Sequence, residues 1–366
     1  MLHKKHSWEH RHMRNDRLRV AIIGAGQIVE VTHLPILSSM REKLDLVGIA
    51  DIVAERAERL ATKFGVERAF QDYEEMLSLL KPDAALVCTP NRFHAAATVT
   101  ALRTGCHVFC EKPPAMTKEE VYQMMVASRK EGRILSFNFN YRYRSEAIAI
   151  KKFVDNGDLG EVYLCEGNFL RRRGVPGWGS FSNKEMQGGG PLMDIGVHML
   201  DLALFMMGFP EPESVTASTY CKIGNKKGVG LMGSWDPGKF NVEDSAFGFV
   251  KFANGASLIL KTAFALNMKD RSTMNLQIFG DRAGATVFPP EVFTEIHGEL
   301  ADISLPFVED KNCYMRSLGA FFDRCRGGSA ELPNPEQAFL VQSLLDAFYD
   351  SAESGSPVIF ERGSMQ

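Results

Sequence analysis

The sequence has no apolar run that approaches the length needed to span a bilayer, and the body of the chain has no long run of charges of one sign. The formal net charge of −3 provides no field that would attract nucleic acid or an anionic membrane surface. No internal repeat is visible. These absences argue against nucleic-acid and membrane partners. The 366 residues, 45% of them hydrophobic, are enough for two globular domains.

Cysteine is scarce and scattered, and it gives no framework for disulfides or metal. The seven residues, an odd number, are Cys88, Cys106, Cys110, Cys165, Cys221, Cys313 and Cys325. We predict reduced core thiols in a cytoplasmic protein. Cys106 and Cys110 lie four positions apart, but no second pair and no suitably placed histidine completes a zinc set. No metal site is therefore predicted.

The first sixteen residues form a separate segment. They mix basic residues with four histidines and lack the apolar core of a signal peptide. We interpret residues 1–16 as a disordered basic tail. The alternative is an over-long start, with Met13 as a second candidate initiator.

The most informative stretch is an apolar, β-branched run at residues 20–23 that breaks into Gly24-Ala25-Gly26. This pattern is typical of a buried parallel strand that turns sharply into a helix. Gly24 would permit the tight reversal, and Gly26 would let a pyrophosphate pass close to the backbone at the helix N-terminus. A second apolar run ends on Asp51, at the distance where an acidic residue accepts from an adenosine ribose hydroxyl. The predicted cofactor residues of this region are Gly24, Gly26, Gln27, Ile28 and Asp51.

Strands and helices continue to alternate to about residue 142, which predicts a doubly wound parallel sheet, a Rossmann domain over 17–142. Beyond Tyr143 the pattern changes to strand-like runs at 214–221, 230–235, 246–252, 256–264 and 274–279. Asn254-Gly255 between two of these runs indicates a hairpin. We therefore predict an α+β domain over 143–366 with a largely antiparallel open sheet, so that the fold class is α/β.

Lys112 follows a buried strand at residues 107–110 and precedes Pro113, so it is predicted to be a positioned cation. Such an ammonium can donate to a substrate hydroxyl or stabilise the oxygen charge that develops when hydride leaves carbon. The alternative is a lysine that pairs with a surface acid.

A second group of polar residues lies on a predicted helix over 191–207. Asp194, His198 and Asp201 fall at i, i+4 and i+7 on one face, ahead of which stand three glycines at 188–190. His198 is the candidate general base, because its pKa naturally lies near working pH. Asp194 would orient that imidazole or hold a second hydroxyl, and Asp201 is interpreted as a structural acid. The glycines would let substrate or cofactor approach. The alternative is a core histidine satisfied by a nearby acid.

Together these motifs resemble the Gfo/Idh/MocA oxidoreductases, the group of glucose–fructose oxidoreductase and inositol 2-dehydrogenase. The resemblance covers residues 19–360 and rests on Gly24-Ala25-Gly26, Thr89-Pro90-Asn91 with His94, Glu111-Lys112-Pro113, Asn140-Tyr141-Arg142-Tyr143, and Gly188-Gly189-Gly190 through Asp194, His198 and Asp201. It implies that Lys112, Asp194 and His198 are catalytic. It also implies cofactor contacts from Thr89, Pro90, Asn91, His94, Glu111 and Lys112. The C-terminal domain would bind substrate and often forms homodimers or homotetramers through its open sheet.

Two positions depart from that family pattern. Val29 stands where the glycine fingerprint usually has Gly or Ala, which should loosen or shift the packing of the helix. Pro114 follows Glu111-Lys112-Pro113, where an aliphatic residue is more usual. Neither change removes the predicted phosphate site.

The cofactor is predicted to be NAD rather than NADP, because Asp51 would repel a 2′-phosphate and is followed by Ile52, Val53 and Ala54. Arg56 leaves NADP open as an alternative. The substrate is predicted to be a sugar, polyol or cyclitol with a secondary alcohol, held by Arg142, Arg171, Trp178, Asp194 and His198. Two other functions stay open: a redox-neutral sugar-processing enzyme (lyase or glycosidase type) that keeps its NAD, and a non-catalytic NAD-binding sensor.

Overall fold

A computed structural model describes residues 17–361 and residue 363 of the chain. The prediction of a disordered basic tail at residues 1–16 lies outside the described residues. The described residues form two β-sheets, with helices between their strands.

The first sheet is parallel throughout and has the strand order β3-β2-β1-β4-β5-β6. Its central strands are buried on both faces, as their continuous apolar composition requires. The strand order reverses between β1 and β4, the point where open parallel sheets bind ligands. The strands are β1 (Leu18–Ile23), β2 (Leu44–Ala50), β3 (Ala69–Phe70), β4 (Ala84–Val87), β5 (His107–Cys110) and β6 (Leu135–Phe137), and the helices are α1 (Leu34–Ser39), α2 (Ala54–Phe64), α3 (Tyr73–Leu80), α4 (His94–Arg103) and α5 (Lys118–Glu131).

The second sheet is mostly antiparallel, with the order β14-β13-β12-β11-β7-β10-β9-β8-β15. Only β7 and β10 pair in parallel among its described strands. The predicted fold class, a parallel Rossmann sheet followed by a largely antiparallel one, is confirmed. The strands are β7 (Val162–Arg171), β8 (Pro212–Tyr220), β9 (Ser245–Phe252), β10 (Ser257–Ala263), β11 (Ser272–Gly280), β12 (Gly284–Thr286), β13 (Glu291–Ile296), β14 (Glu299–Ser304) and β15 (Val358–Ile359).

Helices cover one face of this second sheet, because its inward-facing residues are apolar and need partners. α8 packs on β7, β10 and β11, and α10 packs on β8. The helices of this half are α6 (Ser145–Asp155), α7 (Lys184–Gln187), α8 (Val197–Met207), α9 (Cys313–Cys325) and α10 (Pro335–Ser354).

Helix α9 returns from the C-terminal half to the first sheet. Its buried residues Leu318, Phe321 and Phe322 join the core formed by β1, β2, β4 and α2. The Phe321 ring lies 5.3 Å from that of Phe109 on β5. The two sheets therefore lie on either side of the predicted boundary near residue 143, but α9, which follows the boundary in the chain, is part of the core of the first sheet.

One expectation about the second half is wrong. Residues 230–235 form no strand; they belong to a long loop between β8 and β9, in which glycines interrupt the apolar residues and none of these residues is fully buried. One helical stretch of the described residues, Lys184–Met207, does have the length and apolar composition of a membrane span. Of its apolar window 83% is buried inside the protein, as in a core helix.

Candidate active site

The two glycines of the turn after β1 meet different requirements: one is needed by the fold, and the other leaves space for a ligand. Gly24 has φ +100°, and a Cβ there would lie 2.6 Å from the carbonyl oxygen of Cys88. A Cβ on Gly26 would meet nothing within 4 Å. Exposed Gln27 and half-buried Ile28 begin the helix that follows. The space beside Gly26 and the first N–H groups of this helix therefore fit a dinucleotide pyrophosphate.

The sequence departure at Val29 coincides with a π-helical turn, Val29–His33, rather than with a loosely packed helix. The Val29 side chain is fully buried in the core of the first sheet. The turn ends on His33, which is also fully buried.

Asp51 joins the end of β2 to the glycine turn. Its carboxylate accepts hydrogen bonds from the backbone N–H of Ala25 at 2.7 Å and of Val53 at 2.9 Å. Each carboxylate oxygen retains acceptor capacity for a ribose hydroxyl. Asp51 therefore lies beside the glycine turn with acceptor capacity left on its carboxylate.

His94 links two strand-end loops. One ring nitrogen lies 2.8 Å from the carbonyl oxygen of Pro113 and the other 2.9 Å from that of Thr89. Burial lowers the pKa of His94 despite these two carbonyls, so the neutral ring donates to one of them. His94 thus positions the loops rather than offering itself to a ligand. Pro90 is exposed at the loop tip, and buried Asn91 donates to the carbonyl of Gln187 at 2.9 Å.

Beneath the end of β5 lies a buried network that the sequence did not predict. The Glu111 carboxylate is 2.6 Å from Nε2 of His33 and accepts from Asn138 at 2.7 Å. Burial favours a raised pKa for Glu111, but His33, Asn138 and Lys112 together lower it. Glu111 is therefore a buried carboxylate that ties the helix after the glycine turn to the lysine strand end.

Lys112 reaches across to the second half of the chain. Its ammonium donates to the Asp194 carboxylate and to the Asp194 backbone oxygen, both at 2.7 Å. The two side chains are 18% and 17% exposed, so the pair is partly open to a ligand. Of the two roles expected for Asp194, the orientation of His198 is not seen: the carboxylate accepts from Lys112 instead, within the π-helical turn Leu192–Gly196 that begins this helix.

His198 lies beside this ion pair. Its ring stacks on Tyr141 with centroids 4.3 Å apart. Nδ1 is buried and has no hydrogen-bond partner among the described residues. Burial, then the charges of Lys112 and Arg171, hold the pKa of His198 well below its ordinary value. The imidazole is therefore neutral at physiological pH.

Arg142 does not line the cleft in this structure. Its guanidinium forms a buried ion pair with Asp201, with N–O distances of 2.5, 2.9 and 3.2 Å, and donates to Gln337 at 2.7 Å. The side chain is buried, and all three of its nitrogens already donate within the protein, so the interpretation of Arg142 as a substrate contact is not retained. Asp201 matches the structural acid that we expected. A cavity of about 730 Å³ has Arg142 on its wall, but it includes neither Lys112, Asp194 nor His198.

Arg171 and Trp178 occupy different surroundings. Arg171 packs over the rings of Phe169 and Phe264, and burial lowers its pKa. The guanidinium makes one hydrogen bond of 3.4 Å, to the Gly174 carbonyl, and no ion pair with a described acid. Trp178 is 44% exposed on the following loop and has no described contact with the ion pair.

The three glycines before the helix make room for protein groups, not for a ligand, which corrects their interpretation. A Cβ on Gly189 would lie 1.8 Å from the Tyr349 hydroxyl, and one on Gly190 would lie 2.2 Å from the Glu243 carbonyl. The buried Glu243 carboxylate accepts from the N–H groups of Gly190 and Leu192 at 2.9 and 3.1 Å, and from Tyr349 at 2.9 Å. Glu243 thereby caps the helix that carries Asp194 and His198, and no local sequence signal indicated this.

The fold and the site together define a class: a two-domain dinucleotide-dependent oxidoreductase, in which a lysine of the nucleotide half meets an aspartate and a histidine of the other half. The family model of the oxidoreductases with an NAD-binding Rossmann fold matches residues 18–139, and that of the GFO/IDH/MocA C-terminal domain matches residues 147–286. The chain belongs to the Gfo/Idh/MocA oxidoreductase family. The predicted family, the enzyme class and NAD as the cofactor are thereby confirmed.

Similar proteins cover nearly the whole chain. It is 45% identical over 346 residues to D-glucoside 3-dehydrogenase of Escherichia coli (strain K12), covering 94% of this chain and 98% of that protein. It is 27% identical to myo-inositol 2-dehydrogenase of Thermotoga maritima, covering 94% and 99%. A solved structure of levoglucosan dehydrogenase in complex with NADH has the same fold, with a TM-score of 0.80 at 23% identity and coverage of 94% and 99%.

Proposed function

We propose that this enzyme oxidises a secondary hydroxyl of a sugar with NAD, and that the hydroxyl is at C3 of a D-glucoside. The observation that carries the chemistry is the ion pair between Lys112 and Asp194 beside a neutral His198. The position on the sugar follows the relative that is 45% identical over almost the full length. Bound NAD supplies the hydride acceptor.

The cofactor-binding residues act by shape and charge. The open space at Gly26 and the helix N-terminus receive the pyrophosphate, and Asp51 accepts from the adenosine ribose. A carboxylate at that position repels a 2′-phosphate, which favours NAD over NADP. Asn91 and the Glu111–Lys112 strand end line the nicotinamide end, where His94 and His33 hold the loops in place.

One catalytic residue accepts the proton of the substrate hydroxyl, and another stabilises the charge that develops on its oxygen. Neutral His198 accepts that proton at Nε2, because Nδ1 is buried. The Lys112 ammonium donates to the same oxygen and stabilises the charge that develops on it. Asp194 holds the ammonium in position. Arg171 and Trp178 bind hydroxyls and a ring face of the sugar at the outer side.

Assembly and location complete the proposal. One face of the second sheet carries Tyr220, Phe247 and Phe249, of which Tyr220 and Phe249 are 43% and 41% exposed. We propose that this face joins copies of the chain into a dimer or tetramer. We also propose a cytoplasmic location, because all seven cysteines are free. Light scattering of Phe249→Glu, which should yield smaller particles, tests the interface.

The function is tested with the purified full-length chain, NAD and a panel of methyl glucosides, glucose, glucosamine, myo-inositol and sugar acids. We expect NADH formation with glucosides and a 3-keto product by NMR. Lys112→Met and His198→Asn should each lower kcat by about 100-fold or more while NAD affinity stays within about threefold.

Lys118→Met is the matched control, because Lys118 is exposed at the start of α5 and its ammonium has only a 4.0 Å contact with Glu119. Its kcat should equal that of the parent chain. Normal turnover in either catalytic variant contradicts the residue roles. Oxidation confined to inositol contradicts the substrate proposal, and retained NAD without net NADH points to redox-neutral chemistry.

A further inference from the structure

A basic pocket lies outside the residues assigned above. Arg173, Lys222, Lys226, Lys227 and Asn267 line a concavity of about 240 Å³ between the end of β7 and the loop that follows β8. None of these four cationic side chains forms an ion pair with a described acidic residue. Four uncompensated charges around one concavity repel one another unless an anion lies between them.

Arg173 is the fixed member of this group. Its Nη2 donates to the side-chain oxygen of Asn267 at 2.7 Å, which orients the guanidinium. Its Nη1 is buried and has no hydrogen-bond partner among the described residues. A buried guanidinium N–H without an acceptor is unfavourable, so a ligand oxygen that accepts from Nη1 would be stabilising.

Hydrogen bonds to its backbone hold the loop that carries the three lysines in place. One carboxylate oxygen of the buried Asp244 accepts from the backbone N–H groups of Lys222, Ile223 and Gly224 at 2.7, 2.5 and 2.9 Å. The Trp235 indole also donates to the Gly224 carbonyl at 2.6 Å. Residues 222–224 take part in these bonds through backbone groups only, so the lysine side chains stay available at the pocket.

We propose that the basic pocket binds a phosphoryl group, either as inorganic phosphate or as part of a small phosphomonoester. A phosphoryl group has three terminal oxygens and a charge close to −2, which matches one guanidinium fork and several ammonium groups. A pocket of about 240 Å³ is small for a whole nucleotide but suits a single phosphoryl group.

The pocket follows the end of the strand that carries Arg171. Arg173 lies two positions beyond Arg171, whose charge acts on His198, and the Arg173 carbonyl accepts from Leu231 N–H at 2.7 Å. A phosphate on the sugar itself and a separate phosphate ligand are the two sources that the test below distinguishes. The binding claim does not depend on the proposed dehydrogenase activity.

The test titrates inorganic phosphate into the full-length protein saturated with NAD, by isothermal titration calorimetry at constant ionic strength. Saturating NAD occupies the glycine turn, so phosphate cannot report on that site. The variant is Lys226→Gln/Lys227→Gln, and the control Lys239→Gln/Lys251→Gln removes the same charge at two exposed lysines outside the pocket. We expect saturable binding in the parent and the control, and binding at least about tenfold weaker in the pocket variant.

Absence of saturable phosphate binding in the parent, or equal binding in parent and pocket variant, overturns the proposal. A second arm compares glucose 6-phosphate with glucose as substrates. A fall in the ratio of their kcat/KM values in the pocket variant alone assigns the phosphate to the substrate, and an unchanged ratio with weakened phosphate binding assigns it to a separate ligand. Calorimetry needs no turnover, so its result is independent of whether glucosides are oxidised.

Discussion

At the scale of single residues, the two glycines of the first turn have different roles, although the sequence motif treats them alike. Gly24 is required by the protein, because its positive φ and the nearby Cys88 carbonyl exclude a side chain. Gly26 is required only by what binds there, because its Cβ would point into open space. The distinction makes folding and cofactor binding separable by mutation.

Alanine at each position should therefore give opposite results. Gly24→Ala should lower the free energy of unfolding by about 3 kcal/mol through strain and backbone contact. Gly26→Ala should leave it within about 0.5 kcal/mol and weaken NAD binding by at least about tenfold. Urea unfolding without cofactor and NAD titration by fluorescence quenching measure the two effects. Equal destabilisation by both changes would contradict this division.

The charge environment of His198 predicts the pH dependence of catalysis. Burial, Lys112 and Arg171 lower its pKa, so kcat/KM should not fall between pH 8 and 6.5 through protonation of this base. Arg171→Gln removes one of the two cations and should raise the pKa, which moves the acidic limb of the pH–rate profile upward. Arg172→Gln is the control, because Arg172 bonds to the Lys269 carbonyl on the surface. An acidic limb that does not move in Arg171→Gln contradicts the electrostatic argument.

At the scale of elements, the sequence was most informative where a pattern is local. Residues 20–23 of β1 and the whole of β4 were predicted as strand because both faces are buried and every residue is apolar. Strands β12 to β14 were not predicted, because they are short and partly exposed, although they pair with their neighbours along the chain. Helix α9 was not predicted, because its packing partners in the first sheet lie far away in the chain. The contact between His33 and Glu111 was not predicted for the same reason, because the two residues lie 78 positions apart in the chain.

The helix of Asp194 and His198 shows how a long-range contact controls a catalytic element. Its first N–H groups are satisfied by Glu243, a residue about fifty positions away, rather than by a local cap. The polar stripe is predicted from spacing, but the π-helical turn that contains Asp194 is not, since no residue pattern marks it. The cap and the turn together set the site geometry.

Removing the Glu243 cap should therefore affect catalysis as well as stability. Glu243→Ala leaves the N–H groups of Gly190 and Leu192 and the Tyr349 hydroxyl without their acceptor, which should cost about 2–4 kcal/mol and lower kcat. Glu243→Gln retains an acceptor and should be milder. Chemical unfolding and steady-state kinetics measure both, with the exposed Glu185→Ala as the control. Undiminished kcat in Glu243→Ala would show that the cap does not position the site.

At the scale of the whole molecule, catalysis depends on contacts between the two halves. Lys112 comes from the first sheet, and Asp194 from a helix on the second. Their separation is held by elements that cross between the halves: Asn91 bonds to Gln187, and α10 packs on both α5 and β8. The first half therefore shares its core and its candidate site with the second half, although its sequence pattern is complete without the rest.

Helix α9 provides the sharpest test of this dependence. Phe321 is fully buried against Phe109, so Phe321→Ala should remove about 3–5 kcal/mol from the free energy of unfolding. The loss should appear in the same transition that abolishes NAD binding, although Phe321 lies outside the predicted cofactor domain. Phe307→Ala is the control, because Phe307 is 97% exposed and its change should stay within about 0.5 kcal/mol. If Phe321→Ala left the stability of the NAD-binding half unchanged, the core of that half would be complete without α9.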